Sequence, residues 1–182
     1  MTKRIGFMVG SLRKESFNKK IAEKLIELLP EGFEGEIIDW ANLPVYREEY
    51  DQDEPVEYKE FRGELDSYDG IIFQTAEYNR GMPGGLKNAI DVGSRPWGKN
   101  RWAGKPAAVF SSSIGALSGA LAANQLRQVV SFLNMPTLTQ PEVYLGNIGN
   151  SFDEEGKMKK DLEDFLKTVV AAYVDHFNVV IK

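Results

Sequence analysis

Two short segments of this sequence carry the side chains best suited to hold a charged ligand. Residues 10–18 (GSLRKESFN) follow an apolar run at 5–9, and residues 77–85 (EYNRGMPGG) follow an apolar run at 71–73. A polar loop between a strand and a helix is a place where main-chain N–H groups can bind a phosphate. A second loop at the end of a neighbouring strand can hold the group attached to that phosphate. The two segments therefore indicate a nucleotide-like ligand across the ends of a parallel sheet.

The first segment contains four side chains that donate hydrogen bonds. Ser11, Ser16 and Asn18 can each donate one to a phosphate oxygen. Arg13 can donate two and also neutralise charge. Ser16 is in addition expected to cap a helix that begins at Phe17, whose free N–H groups and dipole favour an anion. Because capping explains neither Ser11 nor Arg13, we interpret the segment as a phosphate cradle.

Other well-known sites for phosphate or for catalysis have no counterpart in the sequence. Residues 104–106 (GKP) lack the upstream spacing and the hydroxyl of a Walker loop, and no Gly-x-Gly-x-x-Gly follows the first apolar run. There is no Cys and a single His, His176, which we interpret as an ordinary helix-face residue. Disulfides, thiolate metal sites and Cys nucleophiles are thereby excluded. With so few reactive side chains, we expect a bound cofactor rather than a metal to carry any difficult chemistry.

Length and composition are those of an ordinary globular protein. The 182 residues are 42% hydrophobic and 27% charged, from which we expect one domain, residues 1–182. No apolar run approaches the roughly 20 residues of a membrane span, and the N-terminus lacks a signal-peptide core, so we expect a cytoplasmic protein. The net charge of −5 argues against nucleic acid as the main partner.

Charge is distributed unevenly along the chain. Residues 31–69 contain fourteen acidic and three basic residues, whereas residues 92–141 contain no acidic residue. The five basic residues of the second region are Arg95, Lys99, Arg101, Lys105 and Arg127. They could attract an anionic ligand, or they could be a few solvated cations beside a buried interface. The sequence leaves both interpretations open.

Apolar periodicity predicts alternating strands and helices. Strands are predicted at 3–9, 36–40, 69–75 and 106–112, with a short fifth strand within 137–145, and helices at 17–29, 55–65, 84–92, 120–133 and 161–177. This alternation predicts an α/β fold, a three-layer, doubly wound, five-stranded parallel sheet. Trp97 and Trp102 lie in a connection rich in Gly, Pro and Arg, where full burial is difficult. We interpret them as part of a dimer contact or of a substrate-pocket wall.

The chain resembles the NADPH-dependent FMN reductase family, which includes flavodoxin-like quinone, azo-dye and chromate reductases. The resemblance rests on residues 10–18, 77–79 and 83–91, and it continues through 111–119 and 125–127. It covers most of the chain and implies a flavodoxin-like fold with FMN as cofactor and NADPH or NADH as co-substrate. One departure is Ala76, where the family usually has Pro; because Pro would fix φ, alanine loosens this loop.

The resemblance also implies roles for individual residues. The FMN phosphate would be held by Ser11, Arg13, Ser16 and Asn18. The isoalloxazine would be lined by Glu77, Tyr78 and Asn79. The other side of the ring would be bounded by the 112–118 loop, with Ser112 and Gly115. Tyr78 could stack on the ring or edge it. A carboxylate is unfavourable beside a reduced, anionic flavin, so we assign Glu77 a loop-shaping role, with capping of the helix at Gly84 or exposure to solvent as alternatives.

We therefore predict an NAD(P)H-dependent FMN oxidoreductase that passes hydride through bound FMN to a quinone, azo compound, chromate or similar acceptor. Arg80 and Arg101 are candidates for contacting the nucleotide phosphates, although both could equally be solvated surface residues. One alternative is a flavodoxin-like electron carrier without a nicotinamide site, for which the acidic 31–69 segment would suit docking to a basic partner. Another is a flavin-binding regulator without turnover.

The resemblance implies an oligomer, a homodimer or homotetramer with active sites near the interface. The helix predicted at 120–133 is rich in small and apolar residues and is our candidate for the contact. Charge reversal at Leu126 is expected to break it.

Overall fold

Strands and helices alternate along the chain in the computed structural model, which describes residues Met1–Lys182. The elements are β1 (Lys3–Val9), α1 (Phe17–Glu27), β2 (Phe33–Ile37), α2 (Val56–Asp66), β3 (Gly70–Thr75), α3 (Gly84–Gly93), β4 (Ala107–Ser112), α4 (Ala120–Phe132), β5 (Val143–Leu145) and α5 (Lys160–Val180). Two short 3₁₀ helices occupy Glu48–Asp51 and Ile148–Ser151.

The five strands form one sheet in the order β2-β1-β3-β4-β5, and every neighbouring pair is parallel. This is the strand order of the flavodoxin-like doubly wound fold, in which the carboxyl ends of the strands form the ligand-binding edge. The predicted fold class is therefore confirmed.

Successive residues of the central strands point into two separate cores. Met8, Phe73 and Val109 pack on one face of the sheet against α2, α3 and α4. Phe7 and Ile72 pack on the other face against α1 and α5. Because side chains alternate along a strand, a continuous apolar run is needed to fill both cores, which is why β1, β3 and β4 lack polar alternation.

The main error in the predicted boundaries is at β2. The strand lies at 33–37 rather than 36–40, because Phe33 pairs with Lys3 and Ile37 with Phe7 at the edge of the sheet. Ile38 and Trp40, which suggested a later strand, are buried beyond its end, where Trp40 Nε1 donates to Val9 O at 3.1 Å.

Two further predictions about buried residues are wrong. Trp102 is fully buried, because its ring lies against Gly93 and its Nε1 donates to Ile90 O at 2.9 Å. A Cβ on Gly93 would lie 2.6 Å from this ring, so the glycine makes the space. Leu126 is also fully buried, in the core beneath α4, so charge reversal there would disrupt the fold instead of testing an interface. Trp97, by contrast, is 83% exposed.

None of the helices combines the length and the apolar character needed to cross a bilayer.

Candidate functional site

Three loops meet at the carboxyl edge of the sheet and surround one cleft. Loop 1 (residues 10–18) follows β1, loop 2 (76–83) follows β3, and loop 3 (113–119) follows β4. The cleft is lined by Ser11, Arg13, Ser16, Phe17, Asn18, Ala76, Glu77, Tyr78, Ser112, Ser113, Ile114 and Ile148. The structure thus brings together most of the residues predicted for a cofactor, while Asn79 and Gly115 lie beside the lining residues without lining the cleft themselves.

Loop 1 begins with a close approach between two strands. Gly10 N donates to Gln74 O at 2.9 Å. A Cβ on Gly10 would lie 2.9 Å from Thr75 Oγ1 and 3.0 Å from Thr75 Cα. Glycine therefore lets loop 1 leave β1 directly over the end of β3.

The main chain of loop 1 offers a group of unused donors. Ser16 caps α1, and its Oγ accepts from Lys19 N at 3.3 Å. The N–H groups of residues 11, 12 and 14–18 donate no hydrogen bond within the chain. Unpaired N–H groups at a helix N-terminus bind anions well, because the helix dipole adds to their hydrogen bonds. The loop therefore fits a phosphate group.

Arg13 lies at the mouth of this cradle. Its guanidinium donates to Glu15 O from Nε at 3.1 Å and from Nη2 at 2.5 Å. These contacts hold the cation beside the loop while the residue remains exposed and lines the cleft. The remaining guanidinium donors can therefore serve an anion seated on the loop.

Asn18, in the first turn of α1, lines the cleft and connects α1 to the strands β3 and β4. Its Oδ1 accepts from Gln74 Nε2 and from Ser112 Oγ, each at 2.9 Å. All three residues are buried, and Asn18 Nδ2 donates no hydrogen bond within the chain. Gln74 was not identified by sequence reasoning; the only signal was a polar residue inside the apolar run of β3.

Loop 2 contains a two-residue turn in an unusual conformation. Tyr78 and Gly81 exchange main-chain hydrogen bonds of 2.9 and 3.0 Å around Asn79 and Arg80. Both central residues have positive φ, 52° for Asn79 and 64° for Arg80. Asparagine tolerates this region, but an arginine there is strained. The turn leaves Tyr78 half exposed at the cleft.

Glu77 links loop 2 to α4. Its Oε2 accepts from Leu121 N at 3.1 Å and from Ala122 N at 3.2 Å, while its Oε1 accepts from Arg80 Nη1 at 3.0 Å. The carboxylate therefore caps the N-terminus of α4, which has no capping side chain of its own at Gly119. Neither of the alternatives considered for Glu77, capping of α3 or exposure to solvent, describes this arrangement.

Gln125 makes a second connection between loop 2 and α4, which sequence reasoning also missed. Its Oε1 accepts from Met82 N at 2.9 Å, and it lies close against Gly81. The flank of the cleft formed by loop 2 is thus attached to α4 at two points.

Two residues considered for chemistry lie at the opposite edge of the sheet. Arg101 precedes β4, donates to the carbonyls of Arg95 and Lys99, and lies 3.7 Å from Asp66. The structure therefore does not bring Arg101 into the cleft of its own chain. His176 Nε2 lies 3.0 Å from Pro136 O, also near the start of β4.

Most of the cations of the 92–141 region are engaged within the chain. Arg95 pairs with Asp51 at 2.8 Å, so part of the acidic segment is neutralised by the basic one. Arg127 donates to Leu138 O and Val109 O. Lys105 donates to Tyr68 O, and burial lowers the pKa of its amine. These contacts favour the structural interpretation of the basic region over an anionic ligand site.

Comparisons with known proteins agree with this geometry. A family model described as NADPH-dependent FMN reductase matches residues 3–150. A quinone reductase of Pseudomonas putida is 45% identical over 174 residues, covering 95% of this chain and 91% of that protein. A 2-hydroxy-1,4-benzoquinone reductase of Burkholderia sp. is 40% identical, with 95% of each chain covered. The solved structure of the flavoenzyme NAD(P)H:(acceptor) oxidoreductase FerB from Paracoccus denitrificans superposes with a TM-score of 0.89 at 33% identity, covering 97% of this chain and 98% of that one.

Proposed function

Because the chain belongs to the NADPH-dependent FMN reductase family, an oxidoreductase family, we propose that it binds FMN in the three-loop cleft and uses NADPH or NADH to reduce a quinone. The observation that carries this proposal is the set of unpaired N–H groups in loop 1. Their position at the N-terminus of α1, beside Ser11 and Arg13, is what a phosphate monoester requires.

The residues divide into two groups around the proposed ligand. Loop 1 and Asn18 would hold the phosphate, because their free donors are concentrated there. Loops 2 and 3 would bound the ring: Tyr78 offers an aromatic face, and Ser112, the last residue of β4, lines the cleft where loop 3 begins. Asn79 and Gly115 would act through the main chain of the loops to which they belong.

When bound, FMN would supply the two-electron transfer between nicotinamide and acceptor that no side chain of this protein offers. The protein would bind and orient the reactants and exclude water from them. Near the mouth of the cleft, Arg80 presents a cation that is 65% exposed and is held by Glu77, and we propose that it contacts the phosphates of NAD(P)H. Arg101 has no such part in this proposal, because it lies at the other edge of the sheet.

The names of the relatives support a quinone as the acceptor. The cleft is also chemically suited to a flat apolar molecule, because Tyr78 and Ile114 are exposed at its rim. Azo compounds and chromate belong to the same proposal as further acceptors, since reduction through FMN asks for no side-chain acid or base. A panel of quinones, azo dyes and chromate ranks them by kcat/KM.

The test is the visible absorption spectrum of the protein with FMN, recorded anaerobically before and after NADPH is added. Rapid bleaching of a protein-bound flavin band is expected. A bound flavin that NADPH leaves oxidised would instead favour the electron carrier or regulator, and the absence of bound flavin would remove the basis of the proposal.

The phosphate assignment has its own test. Arg13→Ala is expected to weaken FMN binding by about 2 kcal/mol through loss of a charge-assisted contact. Lys14→Ala, in the same loop but absent from the cleft lining, is the matched control and is expected to change the affinity far less. Equal FMN affinity of Arg13→Ala and the unchanged protein, by fluorescence titration, would contradict the assignment.

We also propose that the protein is a homodimer, or a tetramer built from such dimers, in which the interface adjoins the cleft. Ile114, Leu117 and Leu121, in loop 3 and the first turn of α4, are 72%, 54% and 47% exposed. Adjacent apolar residues exposed to this degree are typical of a contact surface. Leu117→Arg is expected to lower the mass measured by light scattering. Val179→Arg, at an exposed site on α5, is expected to leave it unchanged.

A further inference from the structure

Gln74 is fully buried in β3 and has one polar atom without a partner. Its Nε2 donates to Asn18 Oδ1 at 2.9 Å, but its Oε1 accepts no hydrogen bond. Leaving a buried acceptor unpaired is unfavourable, so such a group in a folded protein calls for an explanation.

The unpaired Oε1 accompanies one particular orientation of the Asn18 amide. Asn18 Oδ1 has two acceptor positions, and Gln74 Nε2 and Ser112 Oγ fill both. The oxygen of the amide is therefore directed toward the sheet, and Nδ2, with two unused N–H groups, is left for the cleft that Asn18 lines.

The opposite orientation would leave a different atom unpaired and give the cleft the opposite polarity. If both amides were reversed, Asn18 Nδ2 would donate to Gln74 and Ser112, and Gln74 Nε2 would have no partner. Asn18 would then present an acceptor oxygen to the cleft, which would repel a phosphate oxygen. The two hydrogen-bond patterns thus give this position opposite polarity, and the structure has the one that attracts an anion.

We infer that Gln74, together with Ser112, is a positioning residue that orients Asn18 to donate to the phosphate of the cofactor. Gln74 does not line the cleft and makes no contact with the ligand in this role. The inference rests on the proposed function, because it concerns the phosphate of FMN. It makes the selection of FMN over riboflavin, which lacks the phosphate, depend on a side chain buried in the sheet.

The experiment compares the dissociation constants of FMN and riboflavin, measured by fluorescence titration of the protein freed of flavin. Gln74→Glu places an acceptor-only group beneath Asn18 when ionised, and we expect it to weaken FMN binding about a hundredfold. Gln74→Met removes the donor without reversing the polarity, and we expect a loss of about tenfold. Riboflavin affinity is expected to change little in either variant. The decisive quantity is therefore the dissociation constant of riboflavin divided by that of FMN, which falls when the preference for FMN is lost.

Two more variants separate orientation from general damage to the fold. Ser112→Ala removes the other donor to Asn18 Oδ1 and is expected to reduce the ratio in the same way as Gln74→Met. Gln125→Met disturbs loop 2 away from the phosphate and is expected to leave the ratio unchanged, whatever it does to the two affinities separately. If Gln74→Glu does not fold, Gln74→Met and Ser112→Ala decide the question.

The outcomes distinguish the inference from the function on which it rests. If the unchanged protein binds neither flavin, or binds both equally, the proposed FMN site and the inference fail together. If it prefers FMN and that preference persists in Gln74→Met and Ser112→Ala, the inference alone is overturned.

Discussion

The contact between Glu77 and α4 predicts a specific loss of stability. Glu77 Oε2 accepts from Leu121 N and Ala122 N, and its side chain is 7% exposed. Loss of a helix cap costs about 0.5–2 kcal/mol, and an anion at a helix N-terminus contributes about 0.3–1 kcal/mol more. Glu77→Ala is therefore expected to destabilise the flavin-free protein by about 2 kcal/mol.

Glu77→Gln gives an intermediate case. The amide keeps one oxygen to accept from the helix N–H groups but loses the charge that favours the positive end of the dipole. We expect a loss of about 1 kcal/mol for Gln and about twice that for Ala, which for a chain of this length corresponds to melting shifts of about 2–4 and 4–8 °C.

The assay is thermal or urea unfolding of the flavin-free protein, with Arg80→Ala as the control. Arg80 forms an exposed ion pair with the same carboxylate, and such pairs contribute about 0–1 kcal/mol. If Arg80→Ala destabilises as much as Glu77→Ala, the carboxylate acts mainly through the arginine and the capping argument is wrong. Unchanged stability of Glu77→Ala would refute it as well.

Three further predictions concern packing, loop rigidity and pH. Gly10→Ala is expected to destabilise the protein by about 1–3 kcal/mol, because the new Cβ would meet β3. Gly63→Ala, on an open side of α2, is expected to stabilise it by about 0.5–1 kcal/mol. Urea unfolding of both variants checks the contrast. Ala76→Pro removes no hydrogen bond, since the Ala76 N–H donates none. It is expected to raise stability by about 0.4–1 kcal/mol, because proline restricts the unfolded chain. A loss of stability in the same assay would show that the loop does not fit the φ of proline. Burial, assisted by nearby carboxylates, raises the pKa of Glu64 above its ordinary 4.5, so the fold favours the neutral form and loses stability as pH rises through that range. Glu64→Gln should therefore melt slightly higher than the unchanged protein at pH 7, and this advantage should vanish below about pH 4; equal melting differences at both pH values would contradict it.

The central strands and the strand, loop and capped helix around residues 10–18 could be predicted from sequence because their signals are local. The apolar run before Gly10 and the hydroxyls after it define a strand, a loop and a helix cap without reference to the rest of the chain. The strand β2 was misplaced because Ile38 and Trp40 are apolar for a tertiary reason, burial beyond the end of an edge strand, and not because they belong to it.

The residues that support the site were harder to identify, because their partners are distant in sequence. Glu77 caps a helix that begins 43 residues later, and Ser112 reaches Asn18 across 94 residues. Nothing near Glu77 indicates which helix it caps, although the absence of a capping side chain before α4 was a usable signal. Trp102 was expected to remain partly exposed because the room for its ring depends on Gly93, which the local composition does not reveal.

The hydrogen bonds at Asn18 have a consequence for the order of events during synthesis. A chain that has left the ribosome only as far as loop 2 already carries loops 1 and 2. It still lacks Ser112, which completes the pair of donors to Asn18, and α4, which Glu77 caps. The cleft can therefore be finished only after β4 and α4 have joined the sheet. A ligand that binds there would be captured late, and its binding free energy would stabilise the assembled sheet and not an early intermediate.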